Sequence, residues 1–336
     1  MELIYPSYYK SFVCIADKCP DSCCHEWDVE VDEATAACYR AMEGELGADL
    51  RKDLYEEDGR TYLRNRDGRC PMWRADGLCR IQAELGHDAL SNVCRQFPRL
   101  TQDYGNFVEL GLEMSCPEAA RIMLTNEDWD LISEEQPGGE EPDYDTGTME
   151  ILRRSRPRAF EILADRRYTV QERLAIIIMY GYHIQSWIDG AEPEPFDSDL
   201  ALKEARGFAG PGDTEAFLEF FRGLEILTDR WEARLEQGSG GPVWDEMLCK
   251  LAEYLLHRYY YQAVSDYDLV CRVKLAVVSG IAAALLSGAD PEERISLIQL
   301  YSKEIENSIQ NTEALLDGAY TAPALTDRNL LGLLLG

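Results

Sequence analysis

The stretch CIADKCPDSCCHEW, residues 14–27, places Cys14, Cys19, Cys23 and Cys24 within eleven positions. Thiolates are soft ligands, and four of them complete a tetrahedral zinc site or a 4Fe-4S cluster. In an oxidising compartment the same residues would pair as disulfides instead. Cys70 and Cys79, then Cys94, then Cys116 follow, so these eight thiols exceed the need of one site. Structural zinc usually takes cysteines two to four residues apart on each of two knuckles. Here the intervening residues number four, three and none, then eight or more, which favours a cluster or two sites over a zinc ribbon. Adjacent Cys23 and Cys24 point in different directions and do not serve one ion alike.

Compartment decides between metal and disulfide. MELIYPSYYKSF lacks the basic stub, apolar run and small-residue cleavage site of a secretory leader. LAVVSGIAAALLSGA, from Leu275, is interrupted and shorter than the roughly 18 to 20 residues that span a bilayer. The expectation is a cytoplasmic protein with no membrane contact, whose clustered thiols bind metal. Cys116 opens SCPEAARIML, where Pro117 suits a first helical position, so the positive helix end would favour its thiolate. Cys94 has Arg95 beside it. Cys38, Cys249 and Cys271 lie inside periodic helical segments and read as small buried hydrophobes. His25 reads as an exposed strand residue.

Charge narrows the partners. With 33 Lys and Arg against 62 Asp and Glu, the net charge of -29 argues against nucleic acid and would steer a basic partner. Neither a glycine-rich nucleotide loop nor a Ser/His/Asp or Cys/His hydrolase signature is present.

The elements that must position the thiols are short at first. HEWDVEVD alternates as a half-buried strand, and Asp32 can cap a helix over EATAACYRAMEGEL. RDGRCP and RADGLC carry Asp-Gly turns just before a cysteine, which suits ligand presentation. Residues 133–147, SEEQPGGEEPDYDTG, lose their apolar content and predict a flexible, solvated linker. Beyond it, VQERLAIIIMYGYHIQSWI, TEAFLEFFRGLEILTDRWEARLEQ, VWDEMLCKLAEYLLHRYYYQAV, DLVCRVKLAVVSGIAAALL and PEERISLIQLYSKEIENSIQNTEALL are helical in period, with Pro291 in a first turn. The predicted fold is mainly α: a Cys-rich metal-binding part with short strands and loops over 1–132, the linker over 133–147, and an α-helical bundle over 148–336. EYLLHRYYYQAVSDYDL gathers tyrosines near Asp266 and Asp268, either as core with satisfied hydroxyls or as a wet lining for a cationic side chain.

FVCIADKCPDSCCHEWDVEVD, CPMWRADGLCRIQAELGHDALSNVCRQFPR, EMSCPEAARIML and YSKEIENSIQNTEALL, in this order, resemble the flagellin lysine-N-methylase family over about residues 5–316. The resemblance implies a cytoplasmic enzyme that moves a methyl group from S-adenosylmethionine to lysines of flagellin or a similar protein. It also implies a 4Fe-4S cluster held by members of the set Cys14, Cys19, Cys23, Cys24, Cys70, Cys79, Cys94 and Cys116, with zinc as the alternative metal. The glycine-rich donor site of common doubly wound methyltransferases is missing, so no residue is assigned to the donor.

A lysine amine with a pKa near 10.4 must lose a proton before it attacks a methyl sulfonium. A partly dry pocket with a tyrosine or carboxylate as acceptor would help, and Tyr259, Tyr260, Tyr261 and Asp266 are the candidates. Two other readings remain open at this point. One is a non-catalytic metal-binding protein for storage, sensing or delivery. The other is a thiol-disulfide protein, which would bring Cys23 to Cys24 or Cys14 to Cys19 within bonding distance.

Overall fold

In the computed structural model of the chain, which describes residues 1–23, 28–126, 130–238 and 241–336, Val29–Val31 of the alternating stretch form a strand. Its order of elements begins β1 (Glu2–Pro6), β2 (Val29–Val31), α1 (Glu33–Ala41), α2 (Gly44–Asp53), β3 (Leu54–Glu57) and β4 (Arg60–Leu63). It continues α3 (Arg80–Leu85), α4 (Asn92–Gln96), β5 (Arg99–Asp103), β6 (Phe107–Leu112), α5 (Pro117–Thr125) and β7 (Leu131–Glu135). Helices then follow one another: α6 (Thr146–Ala164), α7 (Val170–Ile188), α8 (Ser198–Phe208), α9 (Thr214–Arg222), α10 (Asp229–Gln237), α11 (Glu246–Tyr259), α12 (Val270–Leu286), α13 (Pro291–Glu306), α14 (Ile309–Thr321) and α15 (Asp327–Leu335). The fold is mainly helical, with the short strands and most cysteines before the bundle, as the sequence predicts.

Several predicted helices are cut by internal caps. EATAACYRAMEGEL becomes α1 and α2 because Met42 is extended and Gly44 takes a φ of 86°, a region that favours glycine. Thr228 accepts from the Trp231 amide and starts α10 as a separate helix, and Ser308 accepts from the Asn311 amide to start α14. Asp32 caps α1 through the Thr35 amide as expected, and its second oxygen takes the Asn92 amide at 2.9 Å, so one carboxylate fixes α1 and α4 together.

Two sheets form in the first part, ordered β5-β6-β1-β7 and β2-β4-β3. β1 runs parallel to β6, with Glu2 opposite Phe107 and Ile4 opposite Glu109, so the intervening Cys-rich segment is one long crossover. β7 pairs antiparallel with β1, Ile4 facing Ser133. The stretch expected as flexible linker is therefore partly strand at its start. At its end Tyr144 donates to Asn106 Oδ1 at 2.8 Å and Asp145 caps α6.

One apolar core runs from Ile4, Phe12 and Phe107 into α12, which is buried along its whole length. α7 packs on α12 where Gly181 faces Val273; a Cβ there would stand 3.0 Å from Val273 Cγ1. A second, smaller core gathers Val29, Val31, Tyr39, Leu50, Met72 and Cys70.

The large core contains a charge pair. Arg156 of α6 meets Glu109 of β6 in a two-pronged contact, one bond at 2.8 Å, with side chains 2 % and 0 % exposed. Its guanidinium also lies 3.6 Å from the ring centroid of Tyr261 and donates to the His257 carbonyl at 3.3 Å. Sheet, α6 and α11 are thereby tied together where neither charge has water to fall back on. Burial pushes the neighbouring His257 imidazole down to about 4. Between pH 6.5 and 4 the unfolded chain takes up a proton on this ring that the folded chain refuses, so stability is complete above 6.5 and falls with pH, by up to about 3 kcal/mol. Urea unfolding at pH 7 and pH 5 should show a smaller loss in His257→Gln than in the unsubstituted chain; equal losses would contradict this reading.

Candidate metal centre

The cysteine loops are built as the Asp-Gly turns dictate. Asp67 and Gly68, with φ of 52° and 76°, close the turn between Arg66 and Arg69 that delivers Cys70. Gly77 donates to the Arg74 carbonyl at 3.0 Å, and Cys79 bridges back to Trp73 and caps α3. Ser91 caps α4 through the Cys94 amide at 3.3 Å. Cys70, Cys79 and Cys94 all meet in the smaller core, where burial above all, and then their charges, push the Tyr39 hydroxyl up.

Cys14, Cys19 and Cys116 form the other group, since the first two thiols act electrostatically on the third. The groups adjoin, because Gly77 of the Cys70–Cys79 loop packs on the Cys14–Cys19 loop: a Cβ there would stand 3.6 Å from the Asp17 Cα. Cys23 follows on the same loop and is exposed. Cys24 and His25 lie outside the described residues. Cys14, Cys19 and Cys116 carry no disulfide. Among the described residues no three His, Cys, Asp or Glu side chains stand at ligating distance. The donor set is nevertheless all thiol, drawn from loops that touch, and such soft donors fit an iron-sulphur cluster or zinc.

Cys116 does cap α5, with Pro117 at its first position. Burial pushes the thiol up to about 11, outweighing the Ala119 and Glu118 amides that pull it down. Cys249 and Cys271 are buried as expected, whereas Cys38 is exposed on α1 and corrects the sequence reading.

Beneath the cysteine loops runs a polar seam that sequence reasoning did not find. Gln299, Ser302, Lys303 and Glu306 share one face of α13 at helical spacing. Gln299 Nε2 donates to Asp21 Oδ2 at 3.1 Å and to the Ser115 carbonyl at 2.7 Å. It thus holds the segment between Cys19 and Cys23 and the residue before Cys116 at once. Lys303 pairs with Asp21 at 3.3 Å, both side chains about nine-tenths buried. Glu306, 1 % exposed, pairs with Arg258 at 2.8 Å and accepts from Ser302, Tyr254 and Tyr259. Tyr254 in turn takes the Met114 amide at 3.2 Å. The signal in the sequence was a row of polar residues at helical period on a helix flanked by apolar ones.

The four proposed catalytic residues are dispersed. The segment Tyr260–Val264 is a 3-10 helix, which turns about 120° per residue, so successive tyrosines face different ways. Tyr259 reaches the seam at Glu306, Tyr260 hydrogen-bonds Ser155 Oγ at 2.9 Å in the core, and Tyr261 stands edge-on to Phe107 at 5.9 Å. Asp266, half exposed, pairs with buried Arg272 at 2.8 Å. The hydroxyls of Tyr259 and Tyr260 are satisfied within the packed interior, one of the two alternatives left open by the sequence.

The seam makes a direct expectation. Lys303→Met leaves the Asp21 carboxylate buried without its cation, at a cost of about 3 kcal/mol. Tryptic cleavage at Lys18 should accelerate while the helical circular dichroism persists, and Asp21→Leu added to Lys303→Met should restore resistance. Unchanged cleavage in the single variant would show that the seam does not hold the loop.

Comparison with known proteins adds what geometry does not. The Lysine-N-methylase of Salmonella typhimurium is 32% identical over 136 residues, 38% of this chain and 34% of that protein. The Flagellar biosynthetic protein FliU of Salmonella muenchen is 31% identical over 138 residues, 39% of this chain and 82% of that protein. The chain thus matches about a third of the length of the curated lysine-N-methylases. No family model and no solved structure matches. With most of FliU covered at this identity, the chain belongs to the lysine-N-methylase and FliU family.

Proposed function

We propose that this chain is a protein-lysine N-methyltransferase that acts on flagellin or another lysine-bearing flagellar protein, with S-adenosylmethionine as donor and an iron-sulphur cluster on its N-terminal cysteines. The observation that carries the reading is the shared similarity to a protein named Lysine-N-methylase and to one named as flagellar. S-adenosylmethionine supplies a methyl group activated on a sulfonium. The cluster would draw its ligands from Cys14, Cys19, Cys23, Cys24, Cys70, Cys79, Cys94 and Cys116, and would staple the loops that bear them.

The chain's own residues supply the rest. The seam of Gln299, Lys303 and Glu306 carries the order of the cysteine loops into the helical bundle, so metal binding and folding are linked. The net charge of -29 draws a lysine-rich acceptor in from solution. Removing its proton requires an acceptor group; of the proposed catalytic tyrosines, Tyr259 joins the seam at Glu306 and Arg258, and Tyr261 stands edge-on to Phe107.

The test is mass spectrometry of flagellin after incubation with the anaerobically purified chain and S-adenosylmethionine. Lysine residues gaining 14 Da units are the expected result, at a rate that falls as salt screens the acidic surface. Cys116→Ala should lose metal and methyl transfer together, while Cys38→Ala should keep both. Metal binding without methyl transfer to any flagellar protein would favour the non-catalytic metal-binding alternative.

A further inference from the structure

A concave site lies away from the cysteines, across the first turns of α6. It is a cavity of about 470 Å³ floored by Phe107 and Met149 and walled by Tyr144. A second cavity of about 220 Å³ continues it toward Trp187 of α7. Glu150 and Arg154 line both, which makes them the shared wall of one groove. Together the two volumes fall in the range that takes small molecules of nucleoside size and larger.

The charges on this wall are unusual for the chain. RRSRPR, residues 153–158, is its densest run of basic residues, within a sequence where acids outnumber bases 62 to 33. Three of the four arginines are committed: Arg153 to Glu2, Arg156 to Glu109, Arg158 to Glu161 at 2.7 Å. Arg154 has no ion pair among the described residues. Glu150 stands one turn before it, at the spacing where such pairs normally close, yet it too has no ion pair among the described residues. The groove therefore presents one cation and one anion without an ion-pair partner among the described residues, between aromatic walls, with the Arg154 guanidinium 5.9 Å from the Trp187 ring centroid. A phosphate would use only the cation and a lysine side chain only the anion. An α-amino acid group uses both, and an attached nucleoside uses the walls.

We infer that this groove is the methyl-donor site and takes the amino-acid-bearing nucleoside S-adenosylmethionine, with the carboxylate on Arg154 and the cationic groups on Glu150. The assignment rests on the methyltransferase reading and adds a location that no sequence motif announced. Tyr144, fixed through its hydroxyl to Asn106 Oδ1 at 2.8 Å, is a preformed wall rather than one assembled on binding. Arg153, with its guanidinium 4.5 Å over Phe107 and paired to Glu2, closes the floor and leaves Arg154 as the anion-binding group.

Isothermal titration of the full anaerobically purified chain with S-adenosylhomocysteine, and separately with adenosine, tests the site without any turnover. Arg154→Glu should weaken S-adenosylhomocysteine by about ten- to a hundredfold, the worth of a charge-assisted contact, while adenosine affinity changes little. Glu150→Gln should weaken S-adenosylhomocysteine by less than the Arg154 change. Both residues are exposed, so folding and metal content, checked by circular dichroism and metal analysis, are expected to hold. Arg230→Glu, an equal charge change on α10, serves as control and should have no effect. Tight S-adenosylhomocysteine binding undisturbed by Arg154→Glu would place the donor elsewhere and overturn the inference while leaving the methyltransferase reading intact. An unsubstituted chain that binds no S-adenosylhomocysteine at millimolar concentration would overturn both.

Discussion

The amide of Gln299 is the contact on which the rest of this architecture turns. Two loops that carry cysteines arrive from opposite ends of the first 116 residues. One side-chain nitrogen on α13 reaches both, through Asp21 and the Ser115 carbonyl. Lys303 and Glu306, on the same helix face, neutralise what would otherwise be buried charge: Asp21 above and Arg258 beside. A helix late in the chain thus sets the geometry of residues encoded near its start.

Much of this was legible, and the failures have causes. Caps and turns are local chemistry, so Asp32, Pro117, Pro291 and the Asp-Gly turns before Cys70 and Cys79 were read correctly from the residues alone. Long-range pairing is not local. Nothing in LISEE marks it as the partner of β1, and its acidic character argued for a linker, yet it completes the sheet against Leu3 and Ile4. Helix breaks at Met42 and before Thr228 and Ser308 were missed because each lies inside a continuing hydrophobic period, which positive-φ Gly44 overrides at the first and a capping side chain at the other two. Cys38 shows the reverse error, since a helical segment has a wet face as well as a dry one.

Electrostatics separates the molecule into two regimes. Its surface is strongly acidic and acts at a distance, whereas buried cations such as Arg156, Arg258 and Lys303 are each matched to one carboxylate. Buried pairs of this kind add little net stability but make the alternative arrangements expensive, so they fix how elements meet. The tyrosine run shows the same division. Tyr260 and Tyr261 serve the interior, and Tyr259 serves the seam, because a 3-10 turn sends neighbours in different directions.

The central claim is that cysteines from separate loops form one metal centre docked on α13. Anaerobic purification followed by iron, sulphide and zinc analysis tests it most directly, on the unsubstituted chain and on Cys116→Ala. About four iron and four sulphide per chain, lost in Cys116→Ala, is the result the account predicts. A chain free of metal, or a Cys116→Ala variant with undiminished iron, would contradict it.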